Sequence, residues 1–140
     1  MISVRKQEVV KLENVLHLYQ AVGWTNYTHQ PQMLEKSLSN SLAIYLALDG
    51  EAIVGLVRLV GDGFSSVFVQ DLIVLPSYQR QGIGSALMKE ALRDFKDAYR
   101  VQLATDQTEK NLEFYRSLGF ETLSTYDCTG MIWVERKKIK

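Results

Sequence analysis

Between Val74 and Met88 the chain reads Val-Leu-Pro-Ser-Tyr-Gln-Arg-Gln-Gly-Ile-Gly-Ser-Ala-Leu-Met, an apolar strand passing through a glycine-bearing turn into a helix. Gly82 and Gly84 leave no side chain between an approaching ligand and the backbone. The first N–H groups of a helix have no intrahelical partners and converge at the positive end of its dipole. Such a turn is a seat for an anion and suits a pyrophosphate, with Arg80 adding charge at the rim. No third glycine completes a G-x-G-x-x-G fingerprint, and no G-K-[ST] follows as in a Walker A loop. Taken alone, two glycines serve equally well to relieve a tight strand-to-helix turn.

The elements around this turn follow from periodicity and punctuation. Ile2–Arg5 is expected as a short strand and Glu8–Ala21 as a helix, from apolar residues at helical spacing up to Gly23. Trp24–Gln30 is expected as a loop, and Pro31 opens a second helix to Ser39. Leu42–Leu48, Ala52–Val60 and Ser66–Leu75 form a meander punctuated by Asp49-Gly50 and Asp62-Gly63. The last of these strands is almost wholly apolar, which predicts burial on both faces. Gly82–Phe95 is amphipathic and Arg100–Ala104 is a strand. Asp106 and Glu109 predict a capping box for a helix through Leu118, with Gly119 as its stop. Phe120–Leu123 and Met131–Arg136 are candidate closing strands. The expected order is β-α-α-β-β-β-α-β-α-β-β, a mixed, mostly antiparallel α/β sheet flanked by helices in one domain over 1–140.

Composition narrows the function classes. The 140 residues carry 16 Lys and Arg against 16 Asp and Glu, so the formal net charge is zero and a nucleic-acid partner is disfavoured. The basic run at the C-terminus is short and reads as a solvated strand end. No stretch approaches the roughly 20 apolar residues of a membrane span, and Met1–Glu8 has no apolar signal core. The single cysteine, Cys128, forms no internal disulfide, so the expected setting is the cytoplasm.

Two blocks carry a family resemblance. Gln79-Arg-Gln-Gly-Ile-Gly84 resembles the Q/R-x-x-G-x-G/A motif of the GNAT acetyltransferase superfamily, in its usual place after a strand ending in V-x-P. Asn111-Leu-Glu-Phe-Tyr-Arg-Ser-Leu-Gly-Phe120 is similar to the N-x-x-[FA]-Y-x-x-x-G-F block of the same superfamily. Element order agrees along nearly the whole chain, while Ile2–Ser41 matches in pattern only. The resemblance implies acetyl-CoA as acyl donor, no metal, and a strand that splays from its neighbour so that Leu72, Ile73 and Val74 pair with the pantetheine arm. It implies a pyrophosphate seat on Gln79, Arg80, Gln81, Gly82, Ile83, Gly84 and Ser85. It also implies a cofactor hydrogen bond from Asn111 and protonation of the departing thiolate by Tyr115. A phenol suits that last role, because direct transfer to an amine expels a thiolate. The resemblance further implies that the Val74 N–H polarises the thioester carbonyl. The plainer readings are a core tyrosine beside Leu112 and Leu118, and a surface asparagine.

The acceptor half is less defined. Relatives often carry a Glu or His on the strand before the motif, at positions matching Phe68 and Gln70 here, and neither of these titrates. Asp71 is the only carboxylate of the strand. It is either a base, acting through water, or a structural carboxylate satisfied by Arg58 or a backbone amide; alternation places it opposite Phe68 and Gln70. His17 lies within the first helix. His29 lies on the loop that borders the acceptor pocket in this superfamily, with Trp24, Asn26 and Tyr27. These aromatics either grip an amine or pack the loop onto the sheet. Cys128 is an incidental thiol. The leading expectation is acetyl transfer to a primary amine of a small molecule or of a protein, without a membrane, in a fold whose relatives are frequently homodimers. The alternatives are a non-catalytic acyl-CoA-binding module on the same fold and a seat for another nucleotide.

Overall fold

The computed structural model describes residues 1–134. Among these residues Met1–Ala104 forms one unit, which holds every described strand, and the described residues from Thr105 onward form a second. Five strands lie side by side in sequence order: β1 (Ile2–Lys6), β2 (Ala43–Asp49), β3 (Ala52–Gly61), β4 (Val67–Val74) and β5 (Val101–Leu103). The first four pair antiparallel, and β5 runs parallel to β4. The Asp49-Gly50 signal is a tight hairpin, with Gly50 at φ +63°, a conformation glycine adopts without a Cβ clash.

Three helices cover one face: α1 (Leu12–Ala21), α2 (Thr25–Thr28) and α3 (Pro31–Ser39). Val15, Leu18, Tyr19, Leu34 and Leu38 bury against Ile44, Leu46, Leu48, Leu56 and Ile73 of the sheet. Each such fully buried side chain contributes about 1.5–3 kcal/mol. On the other face lies α4 (Ile83–Asp94), which buries Ile83, Leu87, Met88 and Ala91. It comes so close at Gly55 that a Cβ there would meet the Leu87 side chain at 3.2 Å.

Several elements depart from expectation for local reasons. The first helix begins at Leu12 rather than Glu8, because Gln7 N–H still pairs with the Ile44 carbonyl at 2.9 Å and extends the strand. Within the expected loop Trp24–Gln30, residues Thr25–Thr28 form a helical turn. The cap of α5 (Glu109–Ser117) is Thr108, whose hydroxyl accepts from Asn111 N–H at 3.2 Å, and not Asp106. Phe120–Leu123 is no strand. A 3-10 turn covers Leu123–Tyr126, where the Thr122 hydroxyl contacts those of Ser124 and Thr125 at 3.1 and 3.2 Å. Local hydroxyl pairing of this kind competes with ladder hydrogen bonds. Met131–Val134 is likewise not a strand, and the remainder of that expected element lies outside the described residues.

The apolar strand Ser66–Leu75 is buried on alternate residues and not on both faces throughout. Val67 and Val69 oppose Gly61 and Leu59, whereas Asp71 and Ile73 oppose Arg58 and Leu56. Paired residues share a face. The register shift between Arg58 and Leu59 leaves Gln70 as the extra residue of a β-bulge and moves the odd-numbered side chains of β4 from one face to the other. The strand is apolar along its length because its two halves bury opposite sides.

Candidate active site

The bulge coincides with a fork in the sheet. β5 pairs only with Val67–Val69, so from Gln70 onward the far edge of β4 has no strand beside it among the described residues. Leu75 N–H donates to the Val54 carbonyl at 2.9 Å, toward β3. Successive residues of an antiparallel strand direct their backbone groups to alternate sides, so Leu72 and Val74 present N–H and C=O to the open edge. Gln79 Nε2 donates to the Val74 carbonyl at 3.1 Å, which agrees with that direction. Ile73, expected beside them, is a correction: its backbone faces β3 and its side chain is 1% exposed.

Downstream of this edge the chain turns into α4. Pro76–Tyr78 makes a single 3-10 turn, and the Tyr78 phenol donates to Asp49 Oδ2 at 2.7 Å, pinning the turn to the hairpin. No sequence signal pointed to that contact. Arg80 and Gly82 are both left-handed, at φ +66° and +80°. The cost falls on Arg80, since only glycine adopts this region freely. Gly82 is the helix cap, and no side chain there satisfies the first N–H groups. The first helical hydrogen bond runs from Ala86 N–H to the Gly82 carbonyl at 3.0 Å, so the N–H groups of Ile83, Gly84 and Ser85 precede it. A Cβ built on Gly82 would meet nothing within 4 Å. The turn therefore offers helix-start donors with no side-chain cap, and open space at Gly82, features that suit a pyrophosphate. Gln79, Arg80 and Gln81 are exposed around it.

Asp71 is not available as a base. It is 2% exposed and accepts from Arg58 Nε at 2.7 Å, Tyr19 OH at 2.9 Å and Tyr27 OH at 2.9 Å. Arg58 also reaches the Ser41 hydroxyl at 3.2 Å and the Tyr27 oxygen at 3.3 Å. Burial, and then the Asp71 charge, push both phenols above the ordinary tyrosine range. Both stay protonated and keep donating at neutral pH. Tyr19 was not anticipated in this cluster, although a lone Arg and a lone Asp on neighbouring apolar strands signalled the pair itself. The alternation expected for Asp71 also fails: the bulge carries Gln70 to the same side, where its Nε2 lies 3.5 Å from the Tyr27 oxygen.

The acceptor-side residues separate. Of the two roles open to Tyr27, gripping an amine or packing the loop onto the sheet, its surroundings match the second: it is 9% exposed, its hydroxyl serves Asp71, and its ring packs edge-on to Tyr19 at 5.1 Å. Trp24 is half-buried and packs on Tyr19 at 6.1 Å. His29 is exposed and borders an open surface pocket of about 810 Å³ with Met33, Lys36, Ser37 and Asn40. His17 Nε2 lies 2.8 Å from the Ile53 carbonyl.

In the second unit, Asn111 lies in the first turn of α5, and its Nδ2 donates to the Asp106 carbonyl at 3.4 Å. Tyr115 follows one turn later. Its ring meets Phe114 at 5.0 Å and Phe120 at 5.9 Å, both edge-on, and burial raises its phenol above the usual value.

These features match known proteins. Residues 40–122 fit the family model described as an acetyltransferase (GNAT) domain. A solved GNAT family acetyltransferase from Streptococcus pneumoniae TIGR4 is 77% identical and superposes with a TM-score of 0.91, covering 98% of this chain and 100% of that one. The chloroplastic "GCN5-related N-acetyltransferase 1" of Arabidopsis thaliana is 28% identical over 97% of this chain and 68% of its own length. "Histone acetyltransferase TAP1" of Glycine max is 34% identical over 58% of this chain. The chain spans only 35% and 32% of the length of that protein and of a second Glycine max relative. With the family model covering more than half of the chain, the forked β4 edge and the glycine turn have their explanation: the chain belongs to the GNAT acetyltransferase family.

Proposed function

We propose that the protein transfers an acetyl group from acetyl-CoA to a primary amine by direct attack. The observation that carries this reading is the continuity of two features: the unpaired edge of β4, with the Leu72 and Val74 N–H groups outward, runs straight into the glycine turn at the start of α4. An extended, amide-bearing pantetheine arm fits the first and a pyrophosphate fits the second. A GNAT acetyltransferase from Elizabethkingia anophelis has been solved with acetyl-CoA bound, and this chain shares its fold at a TM-score of 0.63.

In this reading the thioester carbonyl accepts a hydrogen bond from the Val74 N–H, a fixed donor aimed where negative charge develops. The amine nitrogen bonds to the carbonyl carbon as the carbon–sulfur bond breaks. Tyr115, protonated because its phenol is held high, supplies a proton to the departing thiolate. Asn111 contributes a cofactor hydrogen bond, as its motif implies. With Asp71 sealed, no ionisable side chain of β4 faces solvent, so the amine's proton leaves to water or to a group outside this strand. We assign the acceptor to the small-molecule amines; AAC(6')-Iy, which shares the fold at 19% identity and a TM-score of 0.72, was solved with the bisubstrate analogue CoA-S-monomethyl-acetylneamine. The exposed, unpaired Cys128 fits a reducing compartment, and the cytoplasm is the proposed setting.

The sealing of Asp71 is also the observation that favours a second reading, a non-catalytic acyl-CoA-binding module. Thiol release from acetyl-CoA, followed across a panel of primary amines, separates the two. Binding of coenzyme A in calorimetry with no amine-dependent thiol release would overturn the transfer reading. Tighter binding of ATP or NAD than of coenzyme A would overturn the donor assignment as well.

A further inference from the structure

The Asp71 cluster does more than fill the space under α1 and α2, because its proton count dictates how Gln70 is oriented. The Asp71 carboxylate only accepts. Tyr27 has one hydroxyl proton, and it goes to Asp71 Oδ1 at 2.9 Å. Any group approaching the Tyr27 oxygen from elsewhere must therefore donate. Two do: Arg58 at 3.3 Å and Gln70 Nε2 at 3.5 Å. An amide turned the other way would set its carbonyl oxygen against a lone pair of the phenol. The buried cluster thus selects one of the two amide orientations, with Nε2 inward and Oε1 away from Tyr27.

Gln70 is otherwise exposed, and among the described residues nothing donates to its Oε1. It is the extra residue of the bulge, the first residue beyond the β4–β5 pairing, and two residues before Leu72, the first outward N–H of the open edge. An exposed glutamine ordinarily samples many rotamers, at a cost in side-chain entropy when it is fixed. Here the bulge sets the backbone and the Tyr27 phenol favours one amide orientation, with an acceptor-only atom presented where β4 and β5 part.

We propose that Gln70 receives the acceptor: its Oε1 accepts a hydrogen bond from the N–H of the primary amine, aligning the nitrogen with the open edge of β4. Tyr27 is then a positioning residue that acts through Gln70. The proposal rests on the acetyl-transfer reading. It gives an uncharged side chain a role that needs no titration, and it leaves proton removal to another group. Selectivity follows from the chemistry, since Oε1 rewards an N–H donor and leaves a tertiary amine, unless protonated, without that bond.

Steady-state kinetics with tyramine, spermidine and lysine methyl ester as probes test this. For whichever probe the native protein turns over, Gln70→Ala should raise the amine KM about tenfold or more, the loss expected for one hydrogen bond to a polar ligand, with the acetyl-CoA KM unchanged. Gln70→Glu sets a carboxylate oxygen against the Tyr27 oxygen and loses the inward donor, so above the pH at which its carboxyl ionises it should recover only part of the amine affinity. Tyr27→Phe should weaken the amine in the same direction but less, since Arg58 and Asp71 remain. An unchanged amine KM and kcat in Gln70→Ala, in a protein that still binds coenzyme A, would overturn the Gln70 assignment while the transfer reading stands. Absence of turnover in the native protein with every probe, despite coenzyme A binding, overturns both.

Discussion

The side-chain amide of Gln79 donates to the backbone carbonyl of Val74 at 3.1 Å, tying the glycine turn to the strand edge it follows. The first residue of the motif therefore holds the frame of the turn, independently of any contact it makes with ligand. Gln79→Ala should lower coenzyme A affinity about five- to tenfold, corresponding to roughly 1 kcal/mol for one hydrogen bond. The melting temperature should change little, because both groups are exposed. Calorimetry paired with a thermal melt reads both quantities, and an unchanged affinity would count against the link.

Gly82→Asp adds a carboxylate at the cap of α4, next to the Ile83–Ser85 amides in sequence, where a Cβ meets nothing within 4 Å. Coenzyme A binding should weaken by more than tenfold through charge repulsion and steric exclusion. The backbone cost of a non-glycine residue at φ +80° is about 1–2 kcal/mol. Gly23→Asp, at φ +70° with equally open surroundings, serves as the control: it carries a similar backbone cost and should retain coenzyme A affinity.

The Arg58–Asp71 pair is buried, with side chains 5% and 2% exposed. Removing one partner strands the other charge. Asp71→Asn and Arg58→Met should each cost about 3–5 kcal/mol in urea denaturation. The double variant should cost less than the sum, since neither charge is then left alone. Additive losses would show that the pair does not act as a unit.

Alkaline pH should destabilise the protein through Tyr19. Its phenol is raised above the unfolded value by burial and then by Asp71, so the folded state keeps a proton that the unfolded chain releases near pH 10. The stabilisation is fully present below that pH and declines as pH rises further, because the unfolded state then binds fewer protons. Comparing denaturant midpoints at pH 8 and pH 10.5 should show a smaller decline in Tyr19→Phe than in the native protein. Equal declines would remove Tyr19 as the cause.

Tyr115→Phe removes the proposed proton donor while preserving the ring and its contacts with Phe114 and Phe120. kcat should fall about a hundredfold, the lower end of general acid catalysis, with the KM for acetyl-CoA little altered. Because burial raises the phenol above the usual tyrosine value, loss of native activity from deprotonation of this group should set in at higher pH than for an exposed tyrosine. A wild-type kcat in the variant would leave Tyr115 a packing residue.

What was legible in the residue pattern was what short-range rules control. Pro31 opens its helix, Asp49-Gly50 closes its hairpin, and α4 follows the glycine turn at the expected place, because propensity and turn geometry depend on neighbours a few positions away. The two family motifs were legible for the same reason, since backbone donors at a helix start need only the right local residues. Residues 72–74 were marked together, but the strand alternation that sets Ile73 apart from its neighbours depends on which side β3 occupies.

Tertiary structure alone decided the rest. The bulge at Gln70 exists because Arg58 and Leu59 pair with Asp71 and Val69, and nothing within β4 marks where the extra residue falls. That register puts Asp71 under α1 and α2, where Tyr19 and Tyr27 hold it, and of the readings open for Asp71 and Tyr27 it selects the structural one for both, as parts of one buried cluster. It also swings Gln70 to the same side, against simple alternation. The chain by itself determined its family and the glycine turn proposed here as the donor seat, since both rest on contiguous residues. The buried cluster beside the proposed acceptor side was decided only when strands distant in sequence met, because burial, register and proton sharing are properties of residues brought together from positions 19, 27, 58 and 71.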